Sequence, residues 1–297
     1  MEIRQLKSFQ AVANLLSFNK AAGRLHYAQS SMSAQIQARE EEFGVQLFSR
    51  LGRKVQLTEC GIQLLQYANK ILELVDETRS KVMENEEPVG SLTVRIPETF
   101  GVHCLPGVIK EFHNRFPRVQ LNFITCAHEG LENDLRKGIT DLAFLLAESI
   151  SAADLDVEIL GFHSVVLVAS PHHPLASRKS VHTKDLGGET ILLSKVDCSY
   201  RKVFEQVLEQ EEAGRFSKIE FYSVEVIKKC LLSGVGITVL PEVAVRDEVA
   251  QGKLVVLPWS EGKIDVALLM IWYRDRWISP TLRAFMEVTK KIAAQAY

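Results

Sequence analysis

Residues 29–35 place a cluster of short polar side chains at the start of a predicted helix. Gln29, Ser30, Ser31 and Ser33 follow a three-residue break, and Gln35 stands further along the same helix. Amide and hydroxyl groups in this position can hydrogen-bond the edges of bases, and glutamine can bond adenine through two atoms. The alternative interpretation of each residue is an ordinary solvated helix end. The elements around the cluster favour the first interpretation.

A second group of candidate residues carries positive charge. Arg50, Arg53 and Lys54 surround Gly52, which suits the tip of a tight hairpin. Cations on such a ribbon can contact phosphates, and these contacts position a protein on nucleic acid while reading little sequence. We therefore predict a basic ribbon directly after the polar helix.

The elements that hold both groups can be inferred from the spacing of apolar residues. Steps of three and four predict a first helix, Ser17 is the expected cap of a second, and residues 26–28 form a turn before a third helix that Gly44 ends. Two helices across a tight turn, followed by a basic hairpin, are typical of a winged helix-turn-helix, which lays the start of its second helix in the DNA major groove. The predicted inward residues are Leu6, Phe9, Ala13 and Leu16, then Ala21, Ala22 and Leu25, then Met32, Ile36 and Phe43.

Residues 21–61 carry several short motifs at fixed spacing: Ala21-Ala22-x-Arg24-Leu25, Gln29-x-x-x-Ser33, Glu41-Glu42-x-Gly44-x-x-Leu47-Phe48, Arg50 and Leu57-Thr58-x-x-Gly61. By these motifs, residues 1 to about 80 resemble the N-terminal region of the LysR-type transcriptional regulators. The order and length of the remaining chain also fit that family, so the resemblance covers essentially all 297 residues. It implies DNA binding and self-association as a homodimer or homotetramer.

Three residues depart from the family pattern. Ala28 stands where a capping Ser or Thr is usual, Ser30 where Pro is common, and Arg39 where Leu is usual. The missing cap should cost about 1 kcal/mol. The stem of Arg39 can cover apolar surface while its guanidinium reaches water or an acidic neighbour. We expect the fold to survive and the pose of the third helix to be affected.

The charge is distributed unevenly along the chain. Residues 1–58 contain eight basic and four acidic residues, a balance of +4, whereas the rest of the chain has a balance of −6. A basic module on an acidic body is typical of a protein that meets DNA at one end.

Composition and motifs limit the other classes of protein. With 46% hydrophobic residues, the chain can form two or three domains, and the absence of an 18-residue apolar run or a signal peptide predicts a cytoplasmic location without membrane contact. The scattered cysteines predict free thiols, with no disulfide frame, metal or cofactor. Because GxSxG, Walker A, HExxH and GxGxxG sequences are absent and His172-His173 fits a surface loop, we do not expect an enzyme. The cysteines are Cys60, Cys104, Cys126, Cys198 and Cys230.

Residues 59–89 are predicted to form a linker that begins at the Thr58 cap and ends near Pro88 and Gly90. Its apolar spacing gives a heptad seam for a second copy of the chain. The family resemblance implies an antiparallel pair of such helices in a dimer. The alternative is a helix packed on its own domain. The seam residues are Leu64, Tyr67, Ile71, Leu74 and Thr78.

Residues 90–297 alternate strands with helices, which predicts sheets covered by helices on both faces. The family resemblance implies two subdomains similar to periplasmic solute-binding proteins, the first at 90–161 and 267–297 and the second at 162–266. Family motifs occur at Leu105-Pro106, Gly138-x-x-Asp141-Leu142-Ala143 and Gly234-x-Gly236-Ile237-x-x-Leu240-Pro241. The predicted strands are 92–96, 119–125, 142–146, 165–169, 190–193, 219–221 and 237–240.

In such a fold, ligands bind where strands end and helix N-termini meet. Helix N-termini, with Arg201 and His128, favour a small carboxylate or a similar anion. The alternative for each hydroxyl is a simple helix cap. The predicted effector residues are Thr99, Phe100, His128, Cys198, Ser199, Tyr200, Arg201, Ser223 and Val224.

The overall prediction is an α/β protein with an N-terminal all-α winged helix-turn-helix (1–58), a linker helix (59–89) and an effector-binding domain (90–297). It predicts a transcriptional regulator whose partners are operator DNA, a second copy, a small effector and, as a further candidate, RNA polymerase. One alternative is a redox sensor through Cys198, although residues 207–209, where peroxide-sensing members of the family have a resolving cysteine, contain none. Another is a binding module with a degenerate DNA-binding domain.

Overall fold

The structure is a computed structural model, and its chain divides into two compact units. The first comprises Met1–Glu86 with Arg136–Ile139, and the second comprises Glu87–Leu135 with Thr140–Tyr297. The residues it describes are 2–51, 54–83, 87–125, 130–147, 152–195, 198–211, 214–261 and 264–296.

The first unit is a winged helix-turn-helix followed by a long helix, as predicted. The wing strands pair antiparallel, from Phe48 opposite Leu57 to Leu51 opposite Lys54. The helices bury one apolar cluster that extends onto the wing through Leu47 and Phe48. The elements are α1 (Ile3–Leu15), α2 (Phe18–Arg24), α3 (Gln29–Phe43), β1 (Phe48–Leu51), β2 (Lys54–Leu57) and α4 (Glu59–Met83).

The predicted helix ends are confirmed, while two predicted inward residues are wrong. The Ser17 hydroxyl accepts a hydrogen bond from Lys20 N at 3.3 Å, and Gly44 ends α3 in the left-handed region with φ 67°. Leu16 follows α1 with φ 45°, also left-handed, and is exposed, because the helix has already ended there. Phe43, in the last turn of α3, is exposed as well.

The predicted heptad seam of α4 is divided between two faces of the helix. Leu64 and Ile71 are half-buried and pack against the core of their own unit. Tyr67 and Leu74, seven residues apart, are exposed by 65% and 61%. The alternative of packing on its own domain is therefore correct for one face, and the other face is open for a partner. Thr78 is exposed and donates its hydroxyl to Leu74 O.

The second unit alternates strands and helices, with short 3-10 turns at Pro174–Ser177 and Thr183–Leu186. Within the described residues, no helix has both the length and the apolar character that crossing a membrane requires. The elements are β3 (Gly90–Ile96), α5 (Glu98–His103), α6 (Leu105–Arg115), β4 (Val119–Thr125), α7 (Leu131–Arg136), β5 (Leu142–Ala147), β6 (Leu155–Ala169), β7 (Thr190–Ser194), α8 (Cys198–Gln210), β8 (Ser217–Phe221), α9 (Val224–Leu232), β9 (Ile237–Pro241), α10 (Glu242–Ala250), β10 (Val255–Val256), β11 (Ile264–Tyr273) and α11 (Pro280–Ala296).

One sheet runs through this unit in the order β4-β3-β5-β11-β6-β9-β7-β8, with β10 beside β6. In the first half, β3 is parallel to β4 and β5. In the second half, β7 is parallel to β8 and β9. The long strands β11 and β6 pair antiparallel between the halves, from Ile264 opposite Val165 to Tyr273 opposite Leu155. Two α/β halves thus share one pair of crossing strands.

Two of the family motifs have structural roles in this sheet. Asp141, the residue before β5, accepts hydrogen bonds from Thr93 N and from Arg276, and thereby ties β3 and the start of β5 to the segment after β11. Gly236 has φ 62°, and a Cβ atom there would lie 2.2 Å from the carbonyl oxygen of Thr190. This close approach allows β9 to pair with β7.

Candidate nucleic-acid interface and ligand site

The polar start of α3 is presented to solvent. Gln29, Ser30 and Ser31 are exposed, and Ser33 is half-exposed. The Gln29 amide donates to the Ser33 hydroxyl at 2.9 Å, which holds the glutamine along the helix surface. Met32 is fully buried on the opposite side of the same turns. Burial of the apolar stripe therefore fixes which side chains face outward.

Gln35 is placed differently from the other predicted DNA-contacting residues. It is half-exposed, and its Oε1 is buried without a hydrogen-bond partner among the described residues. The position lies next to Ile36 on the inward side of α3. Because its acceptor atom faces inward, Gln35 is less accessible to a base edge than the exposed Gln29 is.

The wing is described in part. Arg50 lies opposite Val55 and Lys54 opposite Leu51, so both backbones are at the hairpin end of the ribbon. Arg53 lies outside the described residues. The antiparallel pairing of the two ribbon strands is confirmed. The predicted tip at Gly52 lies outside the described residues, and the phosphate contacts of the three cations stay predictions.

Glu40 fixes the orientation of α3, and the sequence analysis did not single it out. Its Oε1 accepts hydrogen bonds from Leu47 N at 2.8 Å and Phe48 N at 3.1 Å. These bonds attach the end of α3 to the first wing strand. The position of Glu40, four residues before the helix-ending Gly44, was a usable signal for this role.

Two of the three departures from the family pattern, Ala28 and Arg39, can be seen at the start and on the inner side of α3. Ala28 is the N-cap residue in an extended conformation, and its side chain makes no capping hydrogen bond. The Arg39 side chain is 13% exposed and pairs with Glu42 one turn on. The Arg39 Nε is buried without a hydrogen-bond partner among the described residues. The fold accommodates both departures, as expected.

Three of the predicted effector residues are buried at the strand ends. Thr99, Phe100 and Tyr200 are 3%, 1% and 1% exposed. Phe100 stacks on Phe144 with ring centroids 4.4 Å apart. They line the interior beneath the strand ends and are not displayed on an open surface.

The predicted residues of two loops are described in part. Cys198 and Ser199 form the first turn of α8, and their side chains are not among those described. His128 lies outside the described residues.

Ser223 and Val224 lie at the start of α9, and a carboxylate of the protein itself occupies this helix end. Ser223 caps α9 by accepting from Val226 N at 3.4 Å, and its hydroxyl donates to Glu98 Oε1 at 2.8 Å. Val224 N donates to Glu98 Oε2 at 2.7 Å. Glu98 was missed by the sequence analysis, although its place shortly after β3 was a signal.

Arg201 is committed to neighbouring acids. Its guanidinium donates to Glu205 at 3.2 Å, to Glu220 at 2.5 Å and to the carbonyl oxygen of Ser194 at 3.3 Å. Burial opposes its charge, but the two carboxylates outweigh burial and raise the pKa of Arg201. This network ties α8 to β7 and β8. An anionic effector would have to compete with Glu205 and Glu220 for the Arg201 guanidinium, whose role as an anion ligand stays a prediction.

The cysteine and histidine side chains that could act as nucleophiles or metal ligands are dispersed over the described part of the chain. Cys60, Cys104 and Cys230 form no disulfide bond and lie in exposed, buried and half-buried positions, respectively. His173, expected on the surface, is largely buried and lies 3.2 Å from the Glu189 carboxylate. Among the described residues, no group of His, Cys, Asp and Glu side chains is suited to hold a metal ion.

A winged helix-turn-helix joined to a two-halved α/β unit defines a class of DNA-binding regulators. Comparison with known families agrees: a model described as "Bacterial regulatory helix-turn-helix protein, lysR family" matches residues 3–62, and "LysR substrate binding domain" matches residues 85–294. The chain belongs to the LysR family of transcriptional regulators.

Relatives and solved structures match along the whole chain. The regulator YwqM of Bacillus subtilis, described as uncharacterized, is 38% identical over 293 residues, covering 98% of this chain and 99% of YwqM. GltR of the same organism is 31% identical over 96% of this chain and 95% of its own length. A full-length OxyR variant from Pseudomonas aeruginosa has a TM-score of 0.75 at 26% identity, covering 99% and 94% of the two chains. CbnR complexed with its target DNA shares the fold, with a TM-score of 0.53 at 22% identity, and the match covers 99% of this chain and 100% of CbnR.

Proposed function

We propose that this LysR-family regulator reads operator DNA through the start of α3 and that a small molecule bound in the second unit changes how it holds that DNA. The observation that carries the DNA-reading role is the exposure of Gln29, Ser30 and Ser31 on a helix held in place by buried Met32. Glutamine and serine at a helix start match the donor and acceptor pattern of the major groove.

Charge and self-association support a two-site complex. The balance of +4 over residues 1–58 provides the attraction to phosphates. The exposed Tyr67 and Leu74 on α4 offer an apolar stripe for a second copy. Two copies would present two α3 helices to two operator half-sites. With four to five cationic contacts per copy, log affinity should fall with log salt at a slope of about −8.

Quantitative footprinting on the upstream region of the gene tests the DNA-reading role. Gln29→Ala should cost about 1–3 kcal/mol at one base position and relax preference there. Arg53→Ala should weaken binding uniformly and reduce the salt slope by about 1 per copy. Gln37→Ala is the matched control, because Gln37 is also exposed on α3 but lies two turns beyond Gln29. Unaltered base preference in Gln29→Ala would overturn the assignment of α3 as the reading helix.

The two-halved unit supports the proposed effector role. A ligand bound between the halves that favours one relative arrangement over another shifts the population toward it, and one with equal affinity for both shifts nothing. A changed arrangement alters the spacing of paired DNA-binding units and the bend of the DNA. A thermal-shift screen of small metabolites, followed by footprinting with each hit, tests this role. A ligand that raises stability without altering the footprint would count against it.

A second candidate function is redox sensing through Cys198. The similarity to an OxyR variant at 26% identity favours it, as does the place of Cys198 in the first turn of α8, since a helix N-terminus lowers a thiol pKa. The absence of a cysteine at 207–209 weighs against it. Comparing peroxide-dependent changes in operator binding between the wild type and Cys198→Ser decides the question, and equal responses would remove this candidate.

A further inference from the structure

The Glu98 side chain joins the two halves of the second unit. Glu98 is the first residue of α5 and is separated by Pro97 from the end of β3, in the first half of the sheet. Its partners lie in the second half, after β8: Ser223 is the N-cap residue of α9, and Val224 and Glu225 are the first two residues of that helix. The contact therefore joins residues that are 125 positions apart in sequence and that belong to different halves of the unit.

Both oxygens of this carboxylate are engaged. Oε1 accepts from the Ser223 hydroxyl at 2.8 Å and, more distantly, from Glu225 N at 3.4 Å. Oε2 accepts from Val224 N at 2.7 Å. Charge-assisted hydrogen bonds of this kind are stronger than neutral ones. An external carboxylate at a helix N-terminus would use the same donors.

The C-terminal end of α5 lies near two helices of the second half, α9 and α10. Burial lowers the pKa of His103, the last residue of α5, and the nearby charge of Lys228 on α9 lowers it further. Lys228 is itself buried and pairs with Glu225 at 3.0 Å and with Glu248 of α10 at 2.8 Å. The C-terminal end of α5 thus lies near charged residues of α9 and α10, and Glu98 at its N-terminal end makes the direct hydrogen bonds to α9.

We propose that Glu98 is a resident carboxylate of the α9 N-terminus: it holds the two halves together and keeps free carboxylates out of the position that an acidic effector would take. This inference rests on the proposed effector role of the unit. An acidic effector that uses these donors must displace Glu98 and thereby release the two halves from each other. An effector without an acidic group leaves the contact in place.

Chemical rescue tests this proposal in the full-length protein. All three tryptophans, Trp259, Trp272 and Trp277, lie in the second unit, so tryptophan fluorescence reports its unfolding. Glu98→Ala should lower the unfolding midpoint of this unit. Added acetate or propionate should restore it saturably, whereas chloride at equal ionic strength should not. The apparent carboxylate affinity of the variant should exceed that of the wild type by on the order of tenfold.

Three further variants make the test specific. Glu98→Gln fills the same volume without charge, so it should lower the midpoint and show no rescue. Ser223→Ala in the Glu98→Ala background removes a donor and should weaken the rescue. Glu209→Ala removes an exposed carboxylate of α8 and should neither lower the midpoint nor respond to acetate.

The outcomes separate this proposal from the proposed function. Rescue without any effect of small molecules on operator binding would support the resident carboxylate and count against the effector role. Effector-dependent operator binding without rescue would overturn the resident carboxylate alone. If Glu98→Ala does not fold, hydrogen exchange of the Val224 and Glu225 amides in Glu98→Gln decides, with faster exchange than in the wild type expected. Unchanged exchange would overturn the proposal.

Discussion

Gly61 of α4 lies directly against the main-chain carbonyl oxygen of Leu47. A Cβ atom at position 61 would come within 2.0 Å of that oxygen. The same oxygen accepts a hydrogen bond from Thr58 N at 3.0 Å, and the Thr58 hydroxyl caps α4 by accepting from Gly61 N at 3.0 Å. The glycine is therefore required by the close approach of α4 to the wing.

The first prediction is that Gly61→Ala destabilises the N-terminal unit by about 1–3 kcal/mol, since a backbone oxygen must shift to admit the methyl group. Circular dichroism melts and hydrogen exchange of the 3–83 segment measure the change. Gly23→Ala is the matched control, because Gly23 is helical and an added Cβ there would meet nothing within 4 Å. That variant should be neutral or more stable by up to about 1 kcal/mol. Equal effects of the two variants would contradict this account.

The second prediction is that Ala28→Ser stabilises the N-terminal unit. Position 28 has the extended backbone of an N-cap residue but no side-chain cap. A serine hydroxyl there could accept from an amide of the first turn of α3, a gain of about 0.5–1 kcal/mol. Hydrogen exchange of residues 29–33 measures it. Ala38→Ser, at an exposed position inside α3, should instead lose a few tenths of a kcal/mol. A gain at both positions would show that capping is not the cause.

Much of the fold could be predicted because local chemistry encodes it. Three residues begin or end the helices next to them, and each can be identified from its residue type and its neighbours in sequence: Ser17, Gly44 and Thr58. Leu16 and Phe43 fit the apolar spacing but lie where their helices end, which spacing alone does not determine.

The candidate ligand site was less predictable because its contacts join distant parts of the chain. β6 begins at Leu155 and not at Val165, since its first half is stabilised by pairing with β11 across more than 100 residues. The sequence predicts Arg201 as an effector ligand, yet Glu220 of the distant strand β8 pairs with it. Glu98 likewise gains its role only from its meeting with α9.

The third prediction concerns His163, which is buried on β6. Burial lowers the pKa of His163 from its ordinary 6.5 to about 4, and the charge of Arg246 adds to the effect. The unfolded chain therefore binds a proton at this residue that the folded chain does not bind until about pH 4. This contribution to stability is complete above pH 6.5 and is lost as the pH falls from 6.5 to about 4, by at most about 3 kcal/mol.

Denaturant unfolding followed by tryptophan fluorescence at pH 4 to 8 measures this effect. His163→Gln should remove part of the decline in stability below pH 6.5 that the wild type shows. His172→Gln, which changes an exposed histidine, should keep the wild-type pH profile. Parallel profiles for the wild type and His163→Gln would show that His163 does not titrate as described.

The fourth prediction is that the open face of α4 mediates self-association. Tyr67 and Leu74 are exposed by 65% and 61% while Ala68 and Leu72 between them are buried in their own unit. Exposed apolar residues at heptad spacing are expected to pack against a partner helix. Leu74→Glu should shift sedimentation equilibrium toward monomer and reduce the salt slope of operator binding to about half. Gln210→Glu adds the same charge at an exposed position of α8 and should leave the assembly unchanged. A monomeric wild type, or an assembly that resists Leu74→Glu, would mean that another surface joins the copies.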